Sequence, residues 1–161
     1  MSKPLRYAIA LIVILLDQIT KLSVDKSLEL YEQIKILPVF NITLAYNEGA
    51  AFSFLADAGG WQRWLLTGIS LVVSVVLAIW LFRMSMRERF TALSISLILG
   101  GAVGNLIDRA IYGHVVDFIQ VHYKGSYFPS FNIADSAIFC GTALLLWLTL
   151  FDKSEEQSLT N

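Results

Sequence analysis

Four stretches of this chain are too long and too apolar to be loops of a water-soluble domain. "YAIALIVILL" fills residues 7–16, and further apolar segments cover Leu65–Phe82, Phe90–Ile107 and Ile133–Phe151. A helix needs roughly 20 residues to cross the hydrocarbon core of a bilayer, and each stretch approaches that length. Hydrocarbon offers no water to satisfy a peptide backbone, so the helix is the default spanning form. The pattern predicts an all-α membrane protein, a four-transmembrane-helix bundle with spans at about 5–24, 65–82, 90–107 and 133–151. The makeup of the 161 residues agrees: 56% are hydrophobic and only 16% are charged, for a mean hydropathy of +0.63. No repeat or linker divides the chain, so it reads as a single membrane domain with a disordered polar tail at 152–161.

The first apolar run follows Lys3 and Arg6 and resembles the core of a secretion signal. It ends in "DQITK" without a small-x-small cleavage site, which favours a span. Charge then sets the direction. The connector 83–89 carries Arg83, Arg87 and Arg89, whereas the long connector 26–60 carries only Lys26 and Lys35. Positive charge stays inside, so both termini and the 83–89 connector are expected on the cytoplasmic side. The first long loop and the loop from about 108 to 132 then face outward. Trp61 and Trp64, with Tyr123, Tyr127, Phe128 and Phe131, fall at outer ends of spans, as an interfacial belt or as ordinary packing aromatics.

Within the outer loop, 25–60, "FNITLAY" alternates Phe40, Ile42, Leu44 and Tyr46 with small or polar residues. That period of two predicts a small extracytoplasmic β-element, to which "LPVF" just before it can belong. Such an element either holds an extended peptide by strand pairing or merely caps the bundle.

The polar residues gather at one end. Asp17 and Lys21 close the first span. Asn105, Asp108 and Arg109 close the third, Asp135 opens the fourth, and Asp117 lies in the loop between them. A carboxylate facing lipid at mid-helix costs about 2.5–3.5 kcal/mol, so these groups are expected to face the bundle interior or a wet cavity. Asp17 with Lys21, and Asn105 with Arg109, have i,i+4 spacing, which favours ion pairs and caps that fix helix ends. Asp117 and Asp135 have no basic neighbour at helical distance. Two carboxylates close together in low dielectric share a proton, and such a pair can activate water and polarise a carbonyl. Gly100 and Gly104 form G-x-x-x-G, with Gly101 beside them, a face for close helix packing.

Other chemistries fit less well. His114, Asp117 and His122 match no zinc spacing, and H-E-x-x-H is missing. No G-x-S-x-G elbow or glycine-rich phosphate loop occurs, and the net charge of −1 argues against a nucleic-acid partner. The lone Cys140 sits in an apolar run and reads as a packing residue. A proton- or ion-coupled carrier needs acids at several depths, and here the inner halves of the spans look dry. A third reading is an assembly subunit whose acids pair with a partner.

The stretches "DQITK" (17–21), "NEGAAFS" (47–53), "GGAVGNLIDR" (100–109), "VVDF" (115–118) and "FNIADS" (131–136) stand in the order of a known family. Through them nearly the whole chain resembles the bacterial lipoprotein signal peptidases, also called signal peptidase II. The resemblance implies an intramembrane aspartic endopeptidase of the inner membrane, with its site toward the extracytoplasmic face. Its substrate is a prolipoprotein carrying diacylglycerol on the cysteine after the cut. Asp117 and Asp135 match the catalytic pair. Asn47, Asn105, Arg109 and Asn132 match polar positions that line or brace the site, and Asp17 and Lys21 match the first motif. The resemblance further implies an extracytoplasmic β-cradle and inhibition by globomycin-type cyclic peptides; contact with membrane lipid, no cofactor and action as a monomer are expected. At the motif positions the chain shows no departure from the family pattern.

Overall fold

A computed structural model describes residues 1–49 and 60–158, with side chains described as far as Phe151. Four long helices carry the apolar segments: α1 (Lys3–Ser27), α2 (Trp61–Arg83), α3 (Arg89–Ile111) and α4 (Ile133–Ser158). All four are long and apolar enough to cross a membrane. Each reaches a few residues beyond its apolar run, because flanking polar residues continue the turn. The tail expected to be disordered from 152 is helical backbone as far as Ser158, and 159–161 lie outside the described residues.

α3 is the axis of the bundle. It packs against α1, α2 and α4, and 56% of its membrane-length window is buried, against 11% for α2. Small residues make this possible. A Cβ on Gly100 would stand 2.7 Å from the Val13 Cβ of α1, and one on Gly101 would meet the Ala134 carbonyl of α4. The sequence reading paired Gly100 with Gly104 for packing, and the helix uses both of its sides. The apolar core lies toward the end that holds the α2–α3 connector, which we term the inner end, where Leu77, Leu81, Ala92, Ile95 and Leu99 meet Ala10. Leu11, Val72, Val76, Phe139 and Trp147 point outward and are exposed. In lipid this carries no penalty, since acyl chains are as apolar as the core.

Arg6 shows how the inner end is fastened. It is fully buried, and all of its hydrogen bonds go to main-chain oxygens. Nη1 donates to Leu81 O (2.8 Å) and Met84 O (2.9 Å), Nη2 to Ser85 O (2.7 Å), and Nε to Met1 O (3.0 Å). The last carbonyls of a helix lack partners of their own, and a guanidinium from α1 supplies them for α2.

At the opposite end, which we term the outer end, lies an antiparallel four-stranded sheet in the order β1-β2-β3-β4. Its strands are β1 (Gln33–Leu37), β2 (Phe40–Asn47), β3 (Val115–Tyr123) and β4 (Ser126–Tyr127). The predicted β-element exists as β1 and β2. Half of the sheet was expected to be loop, however: β3 and β4 fall within 108–132. β3 pairs along β2, with Ala45 opposite Asp117 and Ile42 opposite Ile119. Burial along β2 also departs from the expectation. Asn41, Thr43 and Leu44 are buried, whereas Phe40 and Ile42 are partly open and Tyr46 is exposed. A register irregularity between Ile42 and Ala45 breaks the alternation.

Candidate active site

The start of α4 forms a capping box. Asn132 precedes the first helical residue, and its Oδ1 accepts from the Asp135 N–H (2.8 Å). Asp135 Oδ2 in turn accepts from the Asn132 N–H (3.3 Å). This reciprocal pair satisfies two amide donors that a helix start otherwise leaves open. A third donor, the Ala134 N–H, is taken by Asp17 Oδ1 of α1 at 2.9 Å. The partial positive charge of the α4 N-terminus therefore faces two carboxylates.

Asn132 also joins the second acid. Its Nδ2 donates to Asp117 Oδ1 at 2.7 Å. Asn47 Nδ2, from the end of β2, donates to Asp117 Oδ2 at 3.1 Å. Asp117 and Asp135 thus stand on either side of one buried asparagine, and Asn105 of α3 donates to Asp135 Oδ1 at 2.8 Å. Asp117 is buried and has no ion-pair partner among the described residues. Burial, reinforced by the charge of Asp135, pushes its carboxyl up to about 7, against the pull of the two asparagine bonds and Lys21. Near neutral pH such a pair is poised to hold one proton.

Behind the pair lies a charged cluster. Lys21 Nζ meets Asp17 Oδ2 at 2.7 Å and Asp108 Oδ2 at 2.8 Å, and donates to Asn105 Oδ1 at 2.9 Å. The i,i+4 pairing of Asp17 with Lys21 is as expected. The expected partnership of Asn105 with Arg109 does not form, because Asn105 serves Lys21 and Asp135. Arg109 Nη2 instead donates to Gly49 O at 2.9 Å, tying α3 to the start of the "NEGAAFS" stretch, of which residues 50–53 lie outside the described residues. Gly104 leaves room for the Asp17 carboxylate, since a Cβ there would stand 2.6 Å from Oδ2.

Two residues escaped the sequence reading. Gln18 Nε2 donates to Asp108 Oδ1 at 2.8 Å and reaches Gly104 O at 3.2 Å. It lies inside "DQITK", where the motif itself was the available signal. Arg63 Nε and Nη2 donate to Arg109 O (3.1 Å) and Ala110 O (2.9 Å), fastening α2 to the outer end of α3. Nothing local in "WQRW" marks it.

The His114, Asp117 and His122 set does not converge. Asp117 faces the asparagines, whereas His122 takes the other face of β3 by strand alternation and contacts Asn41 Oδ1 at 3.3 Å. His114 stacks on Tyr46 with ring centroids 4.1 Å apart. Burial lowers its basicity. Among the described residues no three His, Cys, Asp or Glu side chains are grouped as a metal site.

Known proteins share this layout. Residues 9–151 match the family model described as signal peptidase (SPase) II. A lipoprotein signal peptidase of Pseudomonas putida is 52% identical over 151 residues, covering 92% of this chain and 88% of the relative. One from Teredinibacter turnerae is 53% identical, covering 90% and 86%. A bacterial membrane enzyme solved by the in meso method superposes with a TM-score of 0.85 at 33% identity, covering 94% of this chain and 91% of the other. With a family model spanning most of its length and half of its residues shared with these relatives, the chain belongs to the signal peptidase II family.

Proposed function

We propose that this chain removes the signal peptide from diacylglyceryl-modified prolipoproteins, cutting before the lipidated cysteine, with Asp117 and Asp135 as the catalytic pair. The observation that carries the pair is their shared asparagine: two acids joined through Asn132, one of them buried without an ion-pair partner and titrating at about 7. Every other buried acid in the cluster is bound to Lys21.

The chemistry follows from one proton on two carboxylates. The ionised member takes a proton from water, and the resulting hydroxide bonds to the scissile carbonyl carbon. The protonated member gives its proton to the carbonyl oxygen. The tetrahedral diol then collapses. Its hydroxyl proton returns to a carboxylate, the C–N bond breaks, and the departing nitrogen takes the other proton. The pair ends as it began and titrates as a unit, so the two roles belong to the pair. Asn47 and Asn132 hold Asp117, and Asn105 and Asn132 hold Asp135. Arg109 holds the backbone at Gly49 beside the site. Gly101 and Gly104 let α3 approach closely enough for these bonds to form.

The membrane setting follows from the same reading. Arg83, Arg87 and Arg89 lie at the end of the bundle opposite the pair, which supports cytoplasmic termini and an extracytoplasmic site in the inner membrane. The substrate's acyl chains remain among membrane lipid while the peptide enters extended. Globomycin-type cyclic peptides would compete for that place, and one chain carries every residue the site uses. A carrier is disfavoured because the buried charge at the inner end, Arg6, binds only main-chain oxygens and offers no proton relay.

The deciding experiment is a gel shift with a diacylglyceryl-modified prolipoprotein peptide and the purified chain. Cleavage is expected, unchanged by EDTA and abolished by Asp117→Asn or Asp135→Asn in protein that still inserts. Turnover by either variant rejects the pair.

A further inference from the structure

Lys21 is buried, 2% exposed, and its ammonium has three hydrogens and three acceptors. Two acceptors are the carboxylates of Asp17 and Asp108, at 2.7 and 2.8 Å. They would suffice to keep the charge paired. The third hydrogen points at Asn105 Oδ1 at 2.9 Å, and the other end of that amide, Nδ2, donates to Asp135 Oδ1 at 2.8 Å. Asn105 Oδ1 also accepts from Asn132 Nδ2 at 3.3 Å, the same amide nitrogen that donates to Asp117 at 2.7 Å. One ammonium on α1 is thus linked to both acids through two asparagines.

An asparagine amide can turn over at little intrinsic cost, and only its partners decide which end faces where. Turned over, Asn105 would set its NH2 against the Lys21 ammonium and its oxygen against the Asp135 carboxylate. We propose that Lys21 is a positioning residue for the reaction: it locks the Asn105 amide in the orientation that donates to Asp135, and so fixes the hydrogen bond that Asp135 accepts beside Asp117. The inference rests on the catalytic pair proposed above.

The charges around the pair are Lys21 and Asp17 on α1, Asp108 and Arg109 on α3, Asp117 on β3 and Asp135 on α4. With Lys21 removed, Arg109 is the remaining cation among them, and the Asp117 carboxylate holds its proton more tightly. With Asn105 replaced by aspartate, Lys21 and Asn132 keep an acceptor, but Asp135 meets an oxygen and must retain a proton to bond it. Both changes move the pH–activity profile upward.

The test uses the full-length purified chain and a diacylglyceryl-modified precursor peptide. Asn105→Asp tests the amide's donation to Asp135 while Lys21 keeps its acceptors. Its kcat is expected to fall about hundredfold, with KM within about twofold and the pH optimum raised by about one unit. Lys21→Met is expected to shift the optimum the same way, with kcat given per folded molecule from thermal unfolding. A purely structural Lys21 predicts Lys21→Met with the parental pH optimum per folded molecule, and that result overturns the proposal. Where Lys21→Met does not fold, Lys21→Met with Asp108→Asn, which keeps the local charge balanced, decides by the same optimum. Asp117→Asn runs alongside as a separate control: activity there rejects the catalytic pair, whereas its inactivity with an unshifted Lys21→Met optimum rejects only the role of Lys21.

Discussion

The bundle buries a cation at each end, and the two are used differently. Arg6, at the inner end, binds four main-chain oxygens and no carboxylate. Lys21, at the outer end, binds only side chains, two acids and an amide. Backbone carbonyls do not titrate and keep their positions as long as the helix exists, so Arg6 acts as a fastener. Carboxylates and amides change protonation or orientation, so Lys21 belongs to an adjustable network. A buried charge at a helix end is therefore classified by what it touches, not by its depth.

Four substitutions or titrations sharpen this contrast. The largest effect is expected at Asn132, which among the described residues bonds to both acids. Asn132→Ala removes the α4 cap together with those bonds, and kcat should fall by about a hundredfold or more in a single-turnover assay. Arg6→Met comes next and should fail differently. Orphaned carbonyls on α2 are expected to lower stability by about 2–4 kcal/mol, read as a lower melting temperature, while the pH profile per folded molecule stays put. A shifted profile would dissolve the distinction between the two ends. Gly104→Ala sets a methyl 2.6 Å from Asp17 Oδ2 and 3.3 Å from the Ala134 Cβ. About 1–3 kcal/mol of strain is expected in thermal unfolding, together with lost activity, because the displaced Asp17 holds both α4 and Lys21.

The smallest effect is a slope. The folded chain keeps the Asp117 proton up to about 7, above the ordinary value of 3.8. The native state therefore binds a proton that the unfolded chain has released. The Asp117 contribution to stability is complete below the ordinary carboxylate range and fades as pH rises through the folded value. Melting temperature should decline between about pH 4 and pH 7, and Asp117→Asn should flatten that decline. No inner-end substitution should alter it.

Much of this arrangement was legible in the residues. The spans were, because hydropathy over a bilayer's width needs no tertiary knowledge. So was the Asp17–Lys21 pair, whose spacing is local. The meeting of Asp117 and Asp135 came from family motifs, and spacing alone permitted it without requiring it. β3 was not legible. In "VVDFIQVHY" each face mixes apolar with polar residues, since one face carries Asp117 and the other Gln120 and His122. Neither alternation nor an unbroken apolar run appears, and the strand exists because β2 supplies its partner. The third corner of the Lys21 cluster was hidden for another reason. Asp108 lies on a different helix, and its neighbour Arg109 was the obvious partner along the chain. Arg6 looked like a topological charge at the membrane edge, and only the fold reveals that α2 ends beside it.

The Asn132–Asp135 box has a consequence for what the chain can tolerate. Each residue of a helix turns its side chain by about 100° and advances it by about 1.5 Å. Adding or removing one position inside 132–135 would swing the Asp135 carboxylate away from Asn105 and break the cap in the same stroke. The hairpin between β1 and β2, and the connector between α2 and α3, hold neither Asp117 nor Asp135 and can vary in length without rotating them. The direction of the Asp135 carboxylate is set by a phase angle, counted in residues from the first turn of one helix.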